Sequence, residues 1–512
     1  MIGNKNIIEF GDYQTPILFV EKVCDYVKKK LSLNPKILFE PTFGIGNFIK
    51  GGIKAFPNVN KIYGIEINKS YYTSMIKELN TSNYDVELNL FNENIFAFDF
   101  KKIKDKISKK DEILILGNPP WVTNTNLTSI ESTNLPIKKN FKDLKGLDAI
   151  TGKGNFDIAE YIILQLLNEF SNYNCYIALL CKNIVAKNIV HDLPKYNFYL
   201  TDIKFLEFNA MSVFNVNCDA GILFMKIGSK NYSKLVCDVY DFNSPTNKIR
   251  SFGWVNDNFT SNTQDYIETS SIDGNSPFVW RQGVKHDCSK VMELSFDEKT
   301  NTLNNRLNEF VDIEETYVYE ILKSSDLKDK IIKKSRKKVI ITQKKVKEET
   351  DSIEKLAPKL WKYLNNHESL LDARKSSIYK NSPRFSIFGI GEYSFAKYKI
   401  AISGFYKEPN FALVYSDKPI MLDDTCYLLP FDDYKTAFIT MLLLNSNLVQ
   451  SFIKSIAFLN SKRPYTKDIL MRIDIQKVYN LITFEMLKNI AENIDVPFNI
   501  SETEYLKFKS IF

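Results

Sequence analysis

The chain has 512 residues, a length that suits two or three domains better than one. Hydrophobic residues make up 44% and charged residues 25%, which is the balance of a globular protein with a substantial core and excludes a disordered or fibrous chain. The net charge of +7 permits nucleic-acid binding but does not require it.

Cysteine and histidine patterns argue against two further classes of site. The seven cysteines are scattered and form no CxxC pair, so we expect neither a disulfide framework nor a zinc site. The three histidines are not spaced for a metal, and we expect none. The N-terminus lacks the layout of a signal peptide, and the apolar runs are shorter than the roughly 18 residues that a membrane span needs. We therefore expect a protein of the reducing cytoplasm, without contact to a membrane.

Short apolar runs alternate with amphipathic segments through about residue 228. Amphipathic helices are predicted at 16–30, 69–79 and 157–170, and strands at 36–41, 61–67, 112–117, 175–181, 203–208 and 220–227. Runs this apolar are typical of strands covered on both faces, so the pattern predicts an α/β domain with a doubly wound, mostly parallel sheet. Beyond residue 228 the alternation fades into polar stretches, which predicts a first domain over 1–228 and a second, mixed α+β domain over 229–512.

A glycine-bearing turn follows the first predicted strand, in the segment LFEPTFGIGNFIK (38–50). Gly44 and Gly46 would let the backbone turn tightly and approach a ligand, beside the free N–H groups at a helix start. Glu66 ends the next strand, 22 residues after Gly44, where an acidic side chain can accept hydrogen bonds from ribose hydroxyls. This spacing indicates a site for an adenosine cofactor, although a turn of this kind can also be purely structural.

The cofactor chemistry follows from what surrounds the glycines. The third glycine of a dinucleotide fingerprint is missing, because Ile49 stands at its position. Glu40, next to Pro41, supplies a carboxylate that would repel a phosphate and attract a cationic amino group. These features favour S-adenosylmethionine over NAD.

The sequence ILILGNPPWVTN places Asn118, Pro119, Pro120 and Trp121 directly after a buried strand. The two prolines make the turn rigid and leave carbonyl groups exposed. The Asn118 side chain and the Pro119 carbonyl could accept the two hydrogens of an adenine amine, which would localise its lone pair on nitrogen. Trp121 could stack on the base. An isolated N-P-P-W would be interpreted as an ordinary loop turn. Here it follows a buried strand and lies 72 residues beyond Gly46, in a chain that also has Glu66, and this context favours a catalytic turn.

Taken in order, GDYQTP, FEPTFGIGNF, YGIEI, NENIFAFDF and LGNPPW resemble the γ-class N6-adenine DNA methyltransferases of bacterial type II restriction–modification systems. Further segments at 146–161, 280–294 and 384–404 resemble the same branch, so the likeness covers most of the chain. The resemblance implies a Rossmann-like methyltransferase domain followed by a target-recognition domain. It also implies a bacterial cytoplasmic enzyme that modifies double-stranded DNA and works beside a separate restriction endonuclease.

The family's site residues transfer to matching positions of this chain. Thr15 and Pro16 would lie against the methionine part of S-adenosylmethionine, Glu40 and the turn Pro41, Thr42, Gly44 and Gly46 would surround its amino-acid end, and Glu66 would hold the ribose. The family places an acidic residue near the cofactor's adenine; this chain has Asn94 there, with Asp99 nearby. Asn118 to Trp121 would be the catalytic turn, and Phe214 is the candidate for the second aromatic that sandwiches a flipped base.

Reaching the amine of a paired adenine requires the base to be flipped out of the helix, so the chain should bind DNA firmly elsewhere. The most basic stretch is KDKIIKKSRKKVIITQKKVK (328–347), whose interleaved apolar residues predict an ordered strand or hairpin. Candidate DNA contacts are Lys333, Lys334, Arg336, Lys337, Lys338, Arg374, Arg384 and Arg463. A lysine-rich solvated face is the alternative interpretation of these positions.

Three other functions share parts of this pattern. RNA or protein-glutamine methylases use the same N-P-P turn, but they would not need some 280 further residues. A non-catalytic DNA-specificity subunit would not need an intact N-P-P-W turn and Glu66. A fused nuclease would need an acidic cluster that the sequence lacks. His286 and His367 are given structural roles, because the expected mechanism uses no histidine.

Overall fold

The computed structural model describes residues 13–81, 84–123, 156–196, 198–228, 234–297 and 300–512. These residues form two compact units that divide between Gln264 and Asp265. Residues 146–155 of one family-like segment lie outside the described part of the chain.

The first unit contains a ten-stranded sheet with helices along the chain between its strands. Its strands are β1 Ile37–Glu40, β2 Lys61–Ile65, β3 Glu87–Phe91, β4 Ile113–Gly117, β5 Cys175–Lys182, β6 Leu200–Asn209, β7 Asp219–Ile227, β8 Val236–Asp241, β9 Ser244–Val255 and β10 Asn258–Thr260. Its helices are α1 Ile17–Lys30, α2 Asn47–Ala55, α3 Lys69–Asn80, α4 Lys101–Lys104, α5 Ile158–Glu169, α6 Asn183–Asp192 and α7 Ala210–Phe214; α8 Thr263–Thr269 spans the division between the units.

The strand order is β10-β9-β8-β6-β7-β5-β4-β1-β2-β3. Strands β1 to β5 pair in parallel, whereas β7 runs antiparallel to both β5 and β6. The chain winds outward from β1 to β2 and β3, then returns to place β4 on the other side of β1. This reversal leaves a crevice at the carboxyl ends of β1 and β4, which is where doubly wound sheets bind their ligands.

All six predicted strands exist, because their continuous apolar runs are covered on both faces of the sheet. β1 and β4 are buried at every residue. Strand β3 was not predicted, because its residues Glu87 to Phe91 are mostly half-buried at the edge of the sheet and alternate between polar and apolar. The three predicted helices correspond to α1, α3 and α5.

The first sheet continues past the predicted domain boundary at residue 228. Strand β8 pairs in parallel with β6. Strand β9 pairs antiparallel with both β8 and β10, so the same sheet extends to Thr260. Because β9 is largely exposed over its first seven residues, its sequence lacks the apolar runs that marked the central strands. The structural division therefore lies 36 residues later than the sequence pattern placed it.

The second unit is mixed α+β, the class predicted for it. A five-stranded sheet has the order β11-β21-β18-β19-β16, and a six-stranded sheet has the order β14-β13-β12-β17-β15-β20. These strands are β11 Arg281–Gln282, β12 Glu293–Asp297, β13 Thr302–Asn305, β14 Phe310–Val311, β15 Val318–Leu322, β16 Ile331–Ile332, β17 Lys337–Ile340, β18 Tyr398–Ser403, β19 Ala412–Tyr415, β20 Met421–Leu422 and β21 Cys426–Phe431.

Helices of this unit are mostly short and gather toward its C-terminal end. They are α9 Ser289–Met292, α10 Ile353–Leu356, α11 Pro358–Asn366, α12 Glu368–Asp372, α13 Tyr434–Leu444, α14 Asn447–Ile456, α15 Lys467–Leu470, α16 Ile475–Leu481, α17 Phe484–Asn493 and α18 Glu502–Phe508. Within the described ranges no single helix is long and apolar enough to cross a membrane; α13 and α14, bent by 62° at their junction, pass that test only as a pair. Of their residues, α13 buries eight of eleven and α14 buries five of ten.

Candidate active site

An open cleft of about 820 Å³ lies at the carboxyl ends of β1, β2, β3 and β4. Each of these strands contributes the residues that follow it, so four separate sequence segments meet in one place. Of the predicted site residues, those that line the cleft are Thr15, Glu40, Pro41, Thr42, Gly44, Glu66, Asn94, Asn118 and Pro120. Pro16, Gly46, Pro119 and Trp121 are not in that lining and sit next to residues that are.

The turn after β1 has the backbone that its glycines were predicted to allow. Gly44 and Gly46 have φ of +53° and +74°, in the left-handed region that favours glycine. A side chain at Gly46 would also meet Met75, because a Cβ there would lie 2.4 Å from the Met75 sulfur. The N–H of Gly44 donates to Glu66 Oε2 over 2.8 Å, and the N–H of Asn68 donates to Glu66 Oε1 over 2.7 Å. The glycine turn and the acidic residue of β2 are therefore joined directly.

Glu40 lies at the base of the cleft and is 2% exposed. Its Oε2 accepts a hydrogen bond of 3.0 Å from the N–H of Ile49, in the first turn of α2. Burial raises the pKa of the Glu40 carboxyl well above its usual range, and the nearby Glu66 carboxylate adds to that rise. A cation placed beside Glu40 would favour its ionised form.

The charged residues in the cleft lining are all acidic: Glu40, Glu66 and Glu93, with no lysine, arginine or histidine in that lining. Such a surface disfavours a pyrophosphate and suits a ligand that carries an ammonium and a sulfonium. Thr42 Oγ1 is buried without a hydrogen-bond partner among the described residues and adds a free polar atom to the same lining. These donors and acceptors fit S-adenosylmethionine, and the residues that would hold it are Glu40, Thr42 and Glu66.

The residue after β3 that faces the cleft is Asn94 and not Asp99. Asn94 lines the cleft, and its Oδ1 accepts a hydrogen bond of 3.0 Å from the N–H of Phe96. Asp99 is exposed and accepts a hydrogen bond from the N–H of Lys101 at the start of α4. The apolar walls at this end are Phe96 and Ile162, a surface suited to a purine ring.

Asn118 follows β4 and holds its amide in a fixed orientation. Its Nδ2 donates to the main-chain oxygen of Tyr13 over 3.1 Å and to Thr15 Oγ1 over 3.2 Å. Because a carbonyl can only accept, the contact with Tyr13 identifies this atom as the amide nitrogen. The other amide atom, Asn118 Oδ1, is buried and has no hydrogen-bond partner among the described residues. The site thus presents an unused acceptor on a residue that lines the cleft.

The far end of the same turn is held by two residues that the sequence analysis did not single out. Lys182, at the end of β5, donates to the main-chain oxygen of Trp121 over 2.9 Å and to Asp157 Oδ2 over 2.7 Å. Asp157 caps α5 by accepting from the N–H of Ala159, and the N–H of Ile158 donates to the Val122 carbonyl. The turn from Asn118 to Val122 is therefore fixed at both ends.

An aromatic cluster surrounds Trp121, which is 5% exposed. The ring centroid of Phe214, at the end of α7, lies 5.2 Å from that of Trp121 with the planes at 72°. The ring centroid of Tyr13 lies 6.3 Å from that of Trp121 and 6.4 Å from that of Phe214. The structure thus brings the two predicted base-stacking residues together, edge to face.

The segment before α1 connects the two halves of the cleft, although only Thr15 and Pro16 of this segment were predicted as site residues. Gln14 Oε1 accepts a hydrogen bond of 3.3 Å from the N–H of Ile45, in the glycine turn. The Thr15 carbonyl accepts from Asn47 Nδ2 over 2.8 Å, while its hydroxyl faces Asn118. Pro16 begins α1, and its carbonyl accepts from the N–H groups of Phe19 and Val20. The YQTP motif was the available signal for Tyr13 and Gln14.

The predicted DNA contacts of the second unit fall into two groups. Lys333, Lys334 and Arg336 are exposed on the loop between β16 and β17, two strands that belong to different sheets and do not form a hairpin. The others have partners within the protein: Lys337 with Asp326, Lys338 with Glu320, Arg384 with Glu368, and Arg463 with Asp424. Arg374 is half-buried, donates to the carbonyls of Leu371, His286 and Ser386, and stacks on Tyr379.

The histidines given structural roles have protein partners. His286 is buried, accepts from the N–H of Cys288, and has Nε2 3.4 Å from Glu293 Oε1. His367 contacts Glu309 Oε2 at 2.7 Å through Nε2. All seven cysteines are free thiols, six of them buried. In the parts of the chain that the structure describes, no group of three or more metal-ligating side chains is placed to hold an ion.

Comparison with known proteins assigns the chain to a family. It is 42% identical over 494 residues to the type II methyltransferase M.NspV of Nostoc sp. (strain ATCC 29411 / PCC 7524), with 94% of this chain and 100% of the relative covered. Among solved structures it is similar to the type IIL restriction–modification enzyme MmeI in complex with DNA, at 14% identity and a TM-score of 0.47 over 99% of this chain and 72% of that one. It is also similar to the type IIG restriction endonuclease BpuSI, at 12% identity and a TM-score of 0.37 over 97% and 64%. No protein-family model matches the sequence.

The strand order 3-2-1-4-5-7-6 with an antiparallel β7, and the cleft at its switch point, define a Rossmann-like methyltransferase domain. The chain belongs to the type II methyltransferases, the DNA-methylating enzymes of restriction–modification systems.

Proposed function

We propose that this chain transfers a methyl group from S-adenosylmethionine to the N6 amine of adenine in a short double-stranded DNA sequence. The observation that carries the proposal is the Oδ1 of Asn118, which is buried without a hydrogen-bond partner among the described residues and belongs to a residue of the same cleft lining as Gly44 and Glu66. A buried acceptor without a partner costs free energy, about 1–3 kcal/mol, so its retention points to a donor supplied by the substrate.

The chemistry needs a nucleophilic nitrogen, and an aromatic amine is a poor one. Asn118 Oδ1 and the Pro119 carbonyl would each accept one hydrogen of the amine and draw its lone pair out of the ring. S-adenosylmethionine, when bound, supplies a methyl group on a positively charged sulfur. The chain's own contribution is positioning and electrostatics, so no covalent enzyme intermediate is required.

The cofactor would lie along the acidic side of the cleft. Glu40 would face its ammonium and Glu66 its ribose hydroxyls, while Asn94, Phe96 and Ile162 would surround the adenine ring. Thr15 links this side to the catalytic turn, because its hydroxyl accepts from Asn118. The acidic lining supports a cationic cofactor over a dinucleotide.

The target adenine would reach Asn118 by flipping out of the duplex, which costs a few kcal/mol. Trp121 and Phe214 would then stack against it. In the present arrangement their edge-to-face contact closes the space between them, and stacked bases need about 3.4 Å on each side. We infer that Phe214 moves aside when the base enters. Cations of the second unit, including Lys333, Lys334 and Arg336, would hold the DNA backbone.

The same reading gives the enzyme a place in a restriction–modification system. It would act in the bacterial cytoplasm on double-stranded DNA and protect the sequence that a separate endonuclease cleaves. Membership of the type II methyltransferases argues against an RNA or protein-glutamine methylase, which leaves a non-catalytic specificity subunit as the competing assignment. Methylation of DNA by the purified chain alone would exclude the specificity subunit.

The decisive experiment is to express the chain in a host that lacks DNA methylation and to sequence the genomic DNA with a method that detects modified bases. We expect N6-methyladenine at one short motif. Asn118→Ala should abolish the signal while S-adenosylmethionine still binds, since Glu40 and Glu66 remain. Methylation of cytosine, absence of methylation, or full activity of the Asn118→Ala variant would contradict the proposal.

A further inference from the structure

Arginine is scarce in this chain, and the arginines differ in whether their guanidinium groups have partners within the protein. Only eight of the 68 basic residues are arginines, and seven of these lie between residues 281 and 472. Five have a carboxylate partner: Arg250 with Glu207, Arg306 with Glu293, Arg384 with Glu368, Arg463 with Asp424, and Arg472 with Asp273. Arg374 donates hydrogen bonds to main-chain carbonyl groups. Arg281 and Arg336 are exposed, and neither guanidinium has a hydrogen bond or ion pair with the described residues.

Arg281 differs from Arg336 in the stiffness of its backbone. It lies in β11, the edge strand of the five-stranded sheet, and pairs with Leu428. Two residues later the chain is enclosed on both sides, because a Cβ on Gly283 would lie 2.2 Å from the Asp423 carbonyl oxygen. On the other side, a Cβ on Gly389 would lie 2.1 Å from the Gly283 carbonyl oxygen. Such close backbone contacts leave the strand little freedom to move.

Hydrogen bonds close the same arrangement. The N–H of Val284 donates to the Leu422 carbonyl over 2.6 Å, and Lys285 exchanges hydrogen bonds of 2.8 and 2.9 Å with Phe388. The segment that carries Arg281 is thus fixed to two neighbouring segments within three residues. Arg336, by contrast, lies in the irregular loop between β16 and β17.

The guanidinium itself is supported by an aromatic ring. The Arg281 Cζ lies 5.4 Å from the ring centroid of Tyr393, and Tyr393 is half-buried against Gly391. A cation–π contact of this kind restrains the position of an arginine head group while its N–H groups remain able to donate to a partner. The result is a restrained guanidinium, without a hydrogen bond or ion pair to the described residues, on an exposed strand whose backbone has little freedom.

We propose that Arg281 reads a guanine in the DNA sequence that the enzyme recognises. This rests on the proposed function, and it names a residue that determines which sequence is methylated. An arginine donating two hydrogen bonds to O6 and N7 of guanine in the major groove is the commonest specific base contact. That contact is specific in its geometry and benefits from a restrained guanidinium, whereas a phosphate contact sets position without reading the base and makes less demand on a loop arginine such as Arg336.

The test compares four proteins: wild type, Arg281→Ala, Arg281→Lys and the matched control Arg336→Ala. The wild-type motif is first determined by sequencing DNA from the methylation-free host. Methylation rates and affinities are then measured on a duplex with that motif and on duplexes in which one G·C pair is changed. Unfolding temperature and S-adenosylmethionine affinity should match wild type in all variants, since these side chains are exposed and outside the first unit.

We expect Arg281→Ala to lose about 5- to 150-fold in kcat/KM on the motif duplex and to stop discriminating at one G·C pair. Arg281→Lys should not restore discrimination, because an ammonium lacks the two-pronged donor geometry. Arg336→Ala should weaken all duplexes equally and reduce the salt dependence of binding. A motif without a G·C pair, or an unchanged motif in Arg281→Ala, would overturn the inference. So would an equal loss on motif and altered duplexes. Failure of the wild type to methylate DNA would instead refute the proposed function.

Discussion

The amide nitrogen of Asn118 is 3.2 Å from the hydroxyl oxygen of Thr15, 103 residues earlier in the chain. Together with the Tyr13 carbonyl, this contact uses both hydrogens of the amide and leaves Oδ1 as its unused acceptor among the described residues. The motif before α1 therefore orients the amide that we propose to be catalytic, in addition to lining the proposed cofactor site.

Replacing the Thr15 hydroxyl tests that orientation. Thr15→Val keeps the shape of the side chain and removes the acceptor, so the amide of Asn118 loses one of two bonds that define its rotation. The net contribution of one hydrogen bond is about 0.5–1.5 kcal/mol, so we expect kcat to fall by roughly 3- to 10-fold. Thr15→Ser should retain most of the activity. Single-turnover methylation measures the role of Thr15 in orienting Asn118, and cofactor titration measures its role in the cofactor site. A loss confined to cofactor affinity would contradict the orienting role.

Glu40 predicts a dependence of cofactor binding on pH. Burial raises the carboxyl pKa in the folded protein, so the free cleft holds a proton above the pH at which an exposed glutamate loses it. A cationic ligand binds the ionised form better, so affinity should rise with pH, by up to about tenfold per unit, until the raised pKa is passed. Binding below that pKa should release a proton.

The same shift has the opposite effect on the stability of the unliganded protein. Because the folded state binds the Glu40 proton more tightly than the unfolded state does, the Glu40 contribution to the free energy of unfolding falls as pH rises above the ordinary glutamate value. Glu40→Gln should remove both effects and weaken cofactor binding. Calorimetry in two buffers of different ionisation enthalpy measures the proton; equal proton release by wild type and Glu40→Gln would assign it to another group.

Much of the first unit could be predicted because its central strands are apolar on both faces. The outer strands were harder to predict, since β3 is mostly half-buried and β9 is largely exposed over its first seven residues, so neither has the continuous apolar run of the central strands. Residues of the cleft were predictable where the backbone requires a particular residue type, as at Gly44, which lines the cleft with a φ of +53°. Lys182 was not, because nothing in its local sequence distinguishes it from the chain's other lysines. His286, one partner of Arg374, and Asp424, the partner of Arg463, lie 88 and 39 residues away in the sequence, and only the fold brings them together.

Lys182 and Asp157 form a pair whose removal should separate stability from catalysis. Lys182→Met leaves the Asp157 carboxylate, 8% exposed, without its cation. We expect the free energy of unfolding to fall by about 1–3 kcal/mol. This is less than for a fully buried pair, because the Lys182 side chain is 23% exposed.

The double variant Lys182→Met with Asp157→Asn distinguishes the two roles. It should recover most of the stability, since no unpaired charge remains, while kcat stays low because the Trp121 carbonyl has lost its donor. Chemical denaturation and single-turnover methylation give the two readouts. Recovery of both together would mean that the pair supports the fold and does not position the turn.

Phe214 should matter most when the target base is paired. Stacking of an aromatic side chain on a base contributes about 1–3 kcal/mol, and this free energy would offset the cost of flipping. We therefore expect Phe214→Ala to lower kcat/KM by about 5- to 150-fold on a matched duplex and by much less on a duplex with a mismatch at the target adenine. Phe242 packs on Phe19 in the same region without contacting Trp121 within the described ring pairs, so Phe242→Ala is the matched control. Equal losses for Phe214→Ala on matched and mismatched duplexes would place Phe214 in the core and not against the base.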